Sequence, residues 1–372
     1  MADAKKGDTV VTVGTRKGLF IFHSTDRKRW KKRGPYFEGV EIRHALLDSA
    51  EGKTLYAGVT SEHWGPMVSR STNLGGRWDL GKEGPRFTKE SGLTVTRIWQ
   101  VQQGVDGSLY AGTEPAGLFR SENGGVTWSS VDSLNYWKGR DKWPPGGGGL
   151  CLHTILPYPK DVKRMLVGIS AAGIFTTNNG GSSWRMYDAG IREYGKQKFF
   201  DKEDTSTCVH KMVRDPADPA ILYQQNHAGV FRRSRGDSEW TVMEKGLPVA
   251  KSTGGPFGFT MVAHPHDPGT AYVVPLVGDY NRVTPKGAMA VFRTTNGGKR
   301  WERLSKGLPQ KDAWFNVLRD GMRADDGDPA GLYVGTTTGQ LYASRNDGNS
   351  WELIADHLPQ VQSVEAGTVG GR

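Results

Sequence analysis

The chain has 372 residues, 51 of them glycine and 12 tryptophan, with 49 Lys and Arg against 39 Asp and Glu, a net charge of +10. Its tryptophans argue against a disordered chain, and the lack of any apolar stretch near ~18 residues excludes a helical membrane span. The basic balance favours anionic partners without bearing on fold, and length alone suggests two or three domains.

From the N-terminus, the first apolar run, Val10 to Val13, is far shorter than a secretory core of ~7–15 residues. Two cysteines, Cys151 and Cys208, cannot build a disulfide framework and suit a reducing compartment. Both features predict a cytoplasmic protein with no membrane partner. The run Arg27-Lys28-Arg29-Trp30-Lys31-Lys32-Arg33 has two readings. It suits a polyanion patch or, preferably, a solvated outer strand whose charges block edge pairing; no specific nucleic-acid partner is predicted.

Asp8 to Thr15 and Gly18 to Phe22 read as the second and third strands of a unit whose inner strand is missing. Next come Thr54 to Gly58 with Pro66 to Arg70, then Ser108 to Gly112 with Gly117 to Arg120. Further on, Gly331 to Gly335 pairs with Gly339 to Tyr342. An apolar run precedes such pairs, as in His153 to Leu156 and Phe259 to Val262. Helical periodicity is almost absent.

Each strand pair leads into an octet, S/T-x-N-x-G-x-x-W. It occurs at 71–78, 121–128, 177–184, 294–301 and 344–351, with shortened copies at 24–30 and 234–240. The closing tryptophans are Trp30, Trp78, Trp128, Trp184, Trp240, Trp301 and Trp351, spaced 48 to 61 residues apart. Asn and Ser or Thr side chains bond nearby backbone, glycine supplies positive φ, and the indole packs between sheets. Seven copies predict an all-β fold, one seven-bladed β-propeller domain over 1–372 with four-stranded antiparallel blades. The segment Pro359 to Ala366 is the spare inner strand, expected to complete blade one and close the ring.

The octets resemble the Asp-box, or BNR, repeat of sialidase-like and sortilin-like propellers and of a photosystem assembly factor. Three strings resemble the intracellular bacterial and archaeal sialidase-like branch: Gly14-Thr15-Arg16-Lys17-Gly18-Leu19-Phe20, Gln224 to Phe231, and Phe257-Gly258-Phe259 with His264 to Pro268. Members are commonly labelled glycosyl hydrolases. The resemblance implies that the octets are structural and lie opposite a ligand funnel. It makes Asn226, His227 and His210 the first positions to mutate.

Funnel residues are expected at inner-strand starts and in loops between second and third strands. The strand starts offer Arg43, His44, Arg97, Trp99, His153, His210, Thr260 and Asn316. The loops offer Arg16, Lys17, Glu62, His63, Trp64, Glu114, Asn226, His227, Asp279, Tyr280 and Arg282. This mixture suits a small polar or anionic, sugar-like ligand, or simply a hydrated channel lining.

Glu62 and Glu114 are candidate carboxylates for glycoside hydrolysis, with His210, His227 and Tyr280 as further catalytic candidates. The sialidase Arg-Ile-Pro signature is missing; Thr96-Arg97-Ile98-Trp99 is the nearest segment. Cys151, His153, Cys208 and His210 offer two thiols and two imidazoles for zinc. Their spacing is not that of a zinc finger, and no metal or cofactor is predicted. The glycine-rich Pro144 to Gly149 lacks the Gly-Lys-Ser/Thr of a phosphate loop. It sits in a long basic connection with Trp137, Lys138, Arg140, Lys142 and Trp143, and Ile191 to Asp204 forms another; either is a candidate funnel rim. Three functions stay open: a sialidase-like propeller that binds a small polar or anionic ligand in its funnel, with or without hydrolysing it, a true glycoside hydrolase, and a non-enzymatic assembly or protein-interaction scaffold.

Overall fold

The computed structural model describes residues 4–48, 52–191, 194 and 208–370. The described residues form seven four-stranded sheets, each antiparallel along its paired neighbours. These are the blades of a β-propeller. No helix among the described residues is long and apolar enough to cross a membrane.

The sequence motif explains the local geometry. In the five full octets the opening hydroxyl accepts the N–H of the fifth residue at 2.9–3.0 Å. The Asn carboxamide oxygen accepts the N–H of the seventh at 2.9–3.1 Å. Those two bonds fold the chain back on itself without any long-range contact. The fifth residue has φ between +82° and +88° in all five octets, a conformation glycine adopts without Cβ strain. In all seven copies the outer strand starts one residue after the tryptophan.

The chain groups into two compact units, Met1–Tyr187 with Gly367–Arg372, and Asp188–Ala366. In the first unit, consecutive sheets meet through apolar layers. Leu19, Ile21, Ala45 and Leu55 lie between the first and second sheets. Val68, Ile98 and Phe119 lie between the second and third. Burying a side chain such as Phe119 contributes about 2–3 kcal/mol by area. The octet tryptophan Trp78 packs on Tyr36 and Phe37 of the neighbouring sheet at 5.9 and 5.0 Å. In the second unit, Trp301 donates its indole N–H to the Met243 carbonyl at 3.1 Å, tying the sixth sheet to the fifth.

The C-terminal strand Val361–Thr368 stands beside Thr9–Thr15 as the inner strand of the first sheet. This is the strand the sequence leaves spare, two residues later than its expected start. Paired bonds between Asp8 and Val369 and between Gly7 and Val369 extend the contact past the strand's end. The last three residues of the basic run, Lys31 to Arg33, open the exposed outer strand Lys31–Tyr36, and Arg27 to Trp30 form the turn before it. One inner strand differs from expectation. That of the seventh sheet is only Met322–Ala324, so Asn316 precedes it on an irregular segment bonded to Thr337. Just before that strand, Gly335 donates its backbone N–H to the Gly321 carbonyl at 2.8 Å, and a side chain at Gly321 would crowd Val317 and the Gly335 carbonyl.

Candidate functional site

Inner strands of the second to sixth sheets share a feature with no sequence signature. Register against the second strand slips between Ile42 and Ala45, Ile98 and Gln100, Leu152 and Thr154, Val209 and Lys211, and Gly258 and Met261. A bulge leaves residues out of the ladder and re-aims their side chains. The residues so released are Arg43, His44, Trp99, His153, His210, Phe259 and Thr260. All but Phe259 are candidates from sequence.

In the first unit the bulges build a closed charge network. Arg97 donates to Glu41 at 3.2 Å and to Glu114 at 3.1 Å. Trp99 donates its indole N–H to the same Glu114 oxygen at 2.9 Å. Arg43 lies 4.0 Å above the Trp99 ring and 3.6 Å from Glu41. Gly149, at φ +90°, presses on Glu114, where any Cβ would collide with the carboxylate. That contact gives the glycine-rich stretch a packing role. Its flanking Trp137 and Trp143 pack on Phe175 at 5.3 and 5.4 Å. Arg140 is sandwiched between Phe87 and Trp143, and burial lowers its pKa.

Other first-unit candidates scatter. His44 accepts the N–H of Val101 from the next inner strand at 3.4 Å. His153 is fully buried, its Nδ1 3.0 Å from the Thr154 hydroxyl. Arg16, Lys17, Glu62 and His63 are exposed on hairpin tips. Trp64, 59% exposed, borders a groove of about 690 Å³ with Lys82, Arg86 and Lys89.

The second unit gathers a different set. His210 is buried among Phe257 at 5.1 Å, Phe259 at 4.7 Å and His227 at 5.7 Å between ring centres. Its Nδ1 lies 2.6 Å from the Gly258 carbonyl, which can only accept, so Nδ1 carries the proton. Burial, reinforced by the charges of Arg319, His227 and Arg282, lowers the His210 pKa well below the usual range. Burial also lowers that of His227, against the pull of Asp279. Both rings are therefore neutral imidazoles at neutral pH.

Arg282 and Arg319 place their guanidiniums over the Phe259 ring at 5.2 and 5.4 Å. Asp279 Oδ2 is 3.7 Å from His227 Nε2. Asn226 uses its Oδ1 to accept the N–H of Ala228 at 2.8 Å, fixing the turn that carries His227. The backbone N–H of His227 in turn donates to the Cys208 carbonyl at 3.0 Å. Tyr280 is 89% exposed at the loop tip, while the Asp279 carbonyl beside it accepts from Arg282 Nε at 2.8 Å. Beyond His210, Lys211 pairs with Asp320, and Arg323 pairs with the buried Glu365 at 3.2 Å. Burial raises the Glu365 pKa, opposed by Arg323 and Lys211 and helped by Asp320.

The structure thus joins His210, His227, Asn226, Asp279 and Arg282, and separately Arg43, Arg97, Trp99 and Glu114. It adds Glu41, Phe259 and Arg319, which the sequence reading did not place at a site. Phe259 lies two residues after Phe257, and only the bulge marks it. The Ile191 to Asp204 connection lies outside the described residues except for Ile191 and Tyr194.

No protein-family model matches the sequence, and no curated protein matches it. Solved structures do. A Bacteroides fragilis protein proposed as a 6-phosphogluconolactonase is 12% identical, with TM-score 0.58, covering 97% of this chain and 98% of that one. An ancestral GH74 enzyme is 18% identical, with TM-score 0.56, over 85% of this chain; the match spans only 38% of the enzyme. YCF48 bound to D1 peptide is 12% identical, with TM-score 0.53, over 94% of this chain and 84% of that one. At such identities the likeness is one of fold.

Proposed function

We propose that this propeller binds a small anionic ligand of the carboxylate or phosphate class in its second unit, at the cluster around Phe259. The observation that carries this reading is the pair of guanidiniums, Arg282 and Arg319, set over one aromatic ring beside two neutral imidazoles. Guanidiniums form directed, charge-assisted bonds to carboxylate and phosphate oxygens. Neutral imidazoles add hydrogen-bonding capacity without further charge. The octets and their Asp-box resemblance fit a rigid scaffold for such a site.

Binding without hydrolysis is the preferred form. Glu114 Oε2 is already engaged by Arg97 and Trp99, Glu62 is exposed on a hairpin tip, and Tyr280 projects into solvent. Calorimetry with sugar acids, sugar phosphates and inorganic phosphate tests the reading. Arg282→Ala/Arg319→Ala should weaken the best anion about a hundredfold, or roughly 3 kcal/mol. Unchanged affinity in that variant, or no anion bound by the wild type, would overturn it.

A second reading rests on the Trp64 groove. An exposed indole beside Lys82, Arg86 and Lys89 suits an acidic protein segment.

A further inference from the structure

The Cys208 sulfur and one ring nitrogen each from His210 and His227 lie within 4.8 Å of one another. Tetrahedral zinc, with bonds of about 2.0–2.3 Å, sets its ligand atoms roughly 3.3–3.7 Å apart. Side-chain shifts of about 1 Å would close these three donors on one ion. The backbone already holds them in register. Cys208 and His210 flank Val209 at a strand start, and His227 donates its N–H to the Cys208 carbonyl.

The surroundings match what metal-bound imidazoles need. The Gly258 carbonyl takes the His210 Nδ1 proton, leaving the Nε2 lone pair as the donor. Asp279 sits beside His227, and its Oδ1 is buried with no hydrogen-bond partner. A cation so near Arg282 and Arg319 requires compensating charge. A Cys208 thiolate and the Asp279 carboxylate together supply two negative charges, equal to those of a divalent ion. A thiolate with two imidazoles selects zinc or cobalt over calcium or magnesium.

We propose that Cys208, His210 and His227 form a binding site for a divalent ion of the zinc class, with Asp279 beside it as the balancing carboxylate. The zinc set drawn from sequence differs. It pairs Cys208 and His210 with Cys151 and His153, whereas the donor group among the described residues takes His227 in their place. Cys151 lies 3.3 Å from the Ser170 hydroxyl instead. Ion binding releases the Cys208 thiol proton to solvent, with no redox change. The site does not rest on the anion reading.

The test is a titration of the purified, chelator-stripped full chain with cobalt(II). We expect one equivalent to bring up a thiolate-to-cobalt charge-transfer band and the d–d bands of a tetrahedral ion, both removed by zinc. Cys208→Ser should abolish the charge-transfer band, Cys151→Ser should leave it, and His227→Gln should weaken affinity about tenfold or more. The wild type alone supplies a second measurement, because Cys208 is partly exposed and Cys151 is buried. Zinc should slow alkylation of Cys208 about tenfold or more, read by peptide mass spectrometry. Absence of the band at one equivalent, its persistence in Cys208→Ser, or zinc-independent alkylation would overturn the proposal. Anion affinity measured in Cys208→Ser separates failure of this site from failure of the anion site.

Discussion

The bulged inner strands of the two units carry unlike chemistry. In the first unit Arg97, Glu41, Glu114 and Trp99 answer one another, with Arg43 laid on the indole. Two arginines and two glutamates balance in charge there, and Gly149 covers the Glu114 carboxylate. In the second unit the bulge presents His210 beside His227, Arg282 and Arg319. There, neutral donors and cations concentrate around aromatic rings. The same backbone irregularity braces one unit and equips the other with groups suited to a ligand. A bulge therefore marks where side chains are re-aimed, and its neighbours decide whether they are spent on structure.

The comparison breaks most readily at Glu114. Glu114→Ala removes the acceptor of the buried Trp99 indole N–H and one of the Arg97 partners. Arg97 is 40% exposed, so solvent offsets part of that loss. The expected cost is roughly 2 kcal/mol in denaturant unfolding, with anion and cobalt affinity unchanged. Cys208→Ser, in the second unit, should stay within about 0.5 kcal/mol of wild type while losing the cobalt band. If Cys208→Ser were the more damaging to stability, the division into brace and receiver would fail.

A smaller effect is expected from Glu365, the buried carboxylate of the second unit. Its folded pKa is raised, so between the unfolded value near ~4.3 and the folded one the native state binds more protons. Stability then falls as pH rises through that window. Glu365→Gln carries no such proton and removes the slope. The variant should gain on wild type in denaturant midpoint as the pH rises above about 4, until the folded Glu365 has ionised. A difference that stays flat with pH would mean that Arg323, Lys211 and the loss of solvent cancel at Glu365.

Much of the fold is legible because turn chemistry is local. Ser121, Asn123 and Gly125 sit within one octet and bond only to each other's neighbourhood, so their spacing foretells their geometry. The spare C-terminal strand follows from counting strands against octets. The candidate sites are only half legible. His227 and Arg282 stand out as hairpin-tip residues, but Arg319 reaches the same ring from the irregular approach to the seventh sheet. Glu41 joins Arg97 across 56 positions. Trp143 belongs to a basic connection that reads as a candidate funnel rim, yet it packs on Phe175. These are tertiary choices, and no periodicity encodes them.

Asn226 gives the mildest and most specific test, because its side chain belongs to the turn that carries His227. Its Oδ1 holds the Ala228 N–H, and the next residue carries one imidazole of the cluster. Asn226→Ala should cost about 1 kcal/mol, the scale of one buried hydrogen bond. If Asn226 is a positioning residue, the loss also appears in function: cobalt affinity falls while the charge-transfer band of Cys208 keeps its position. Asn226→Asp retains the accepting oxygen and should recover most of that affinity. A purely structural asparagine would lower stability equally but leave the cobalt titration where it was. That outcome would locate the organisation of the second unit in the bulge alone, with the hairpin tip merely resting against it.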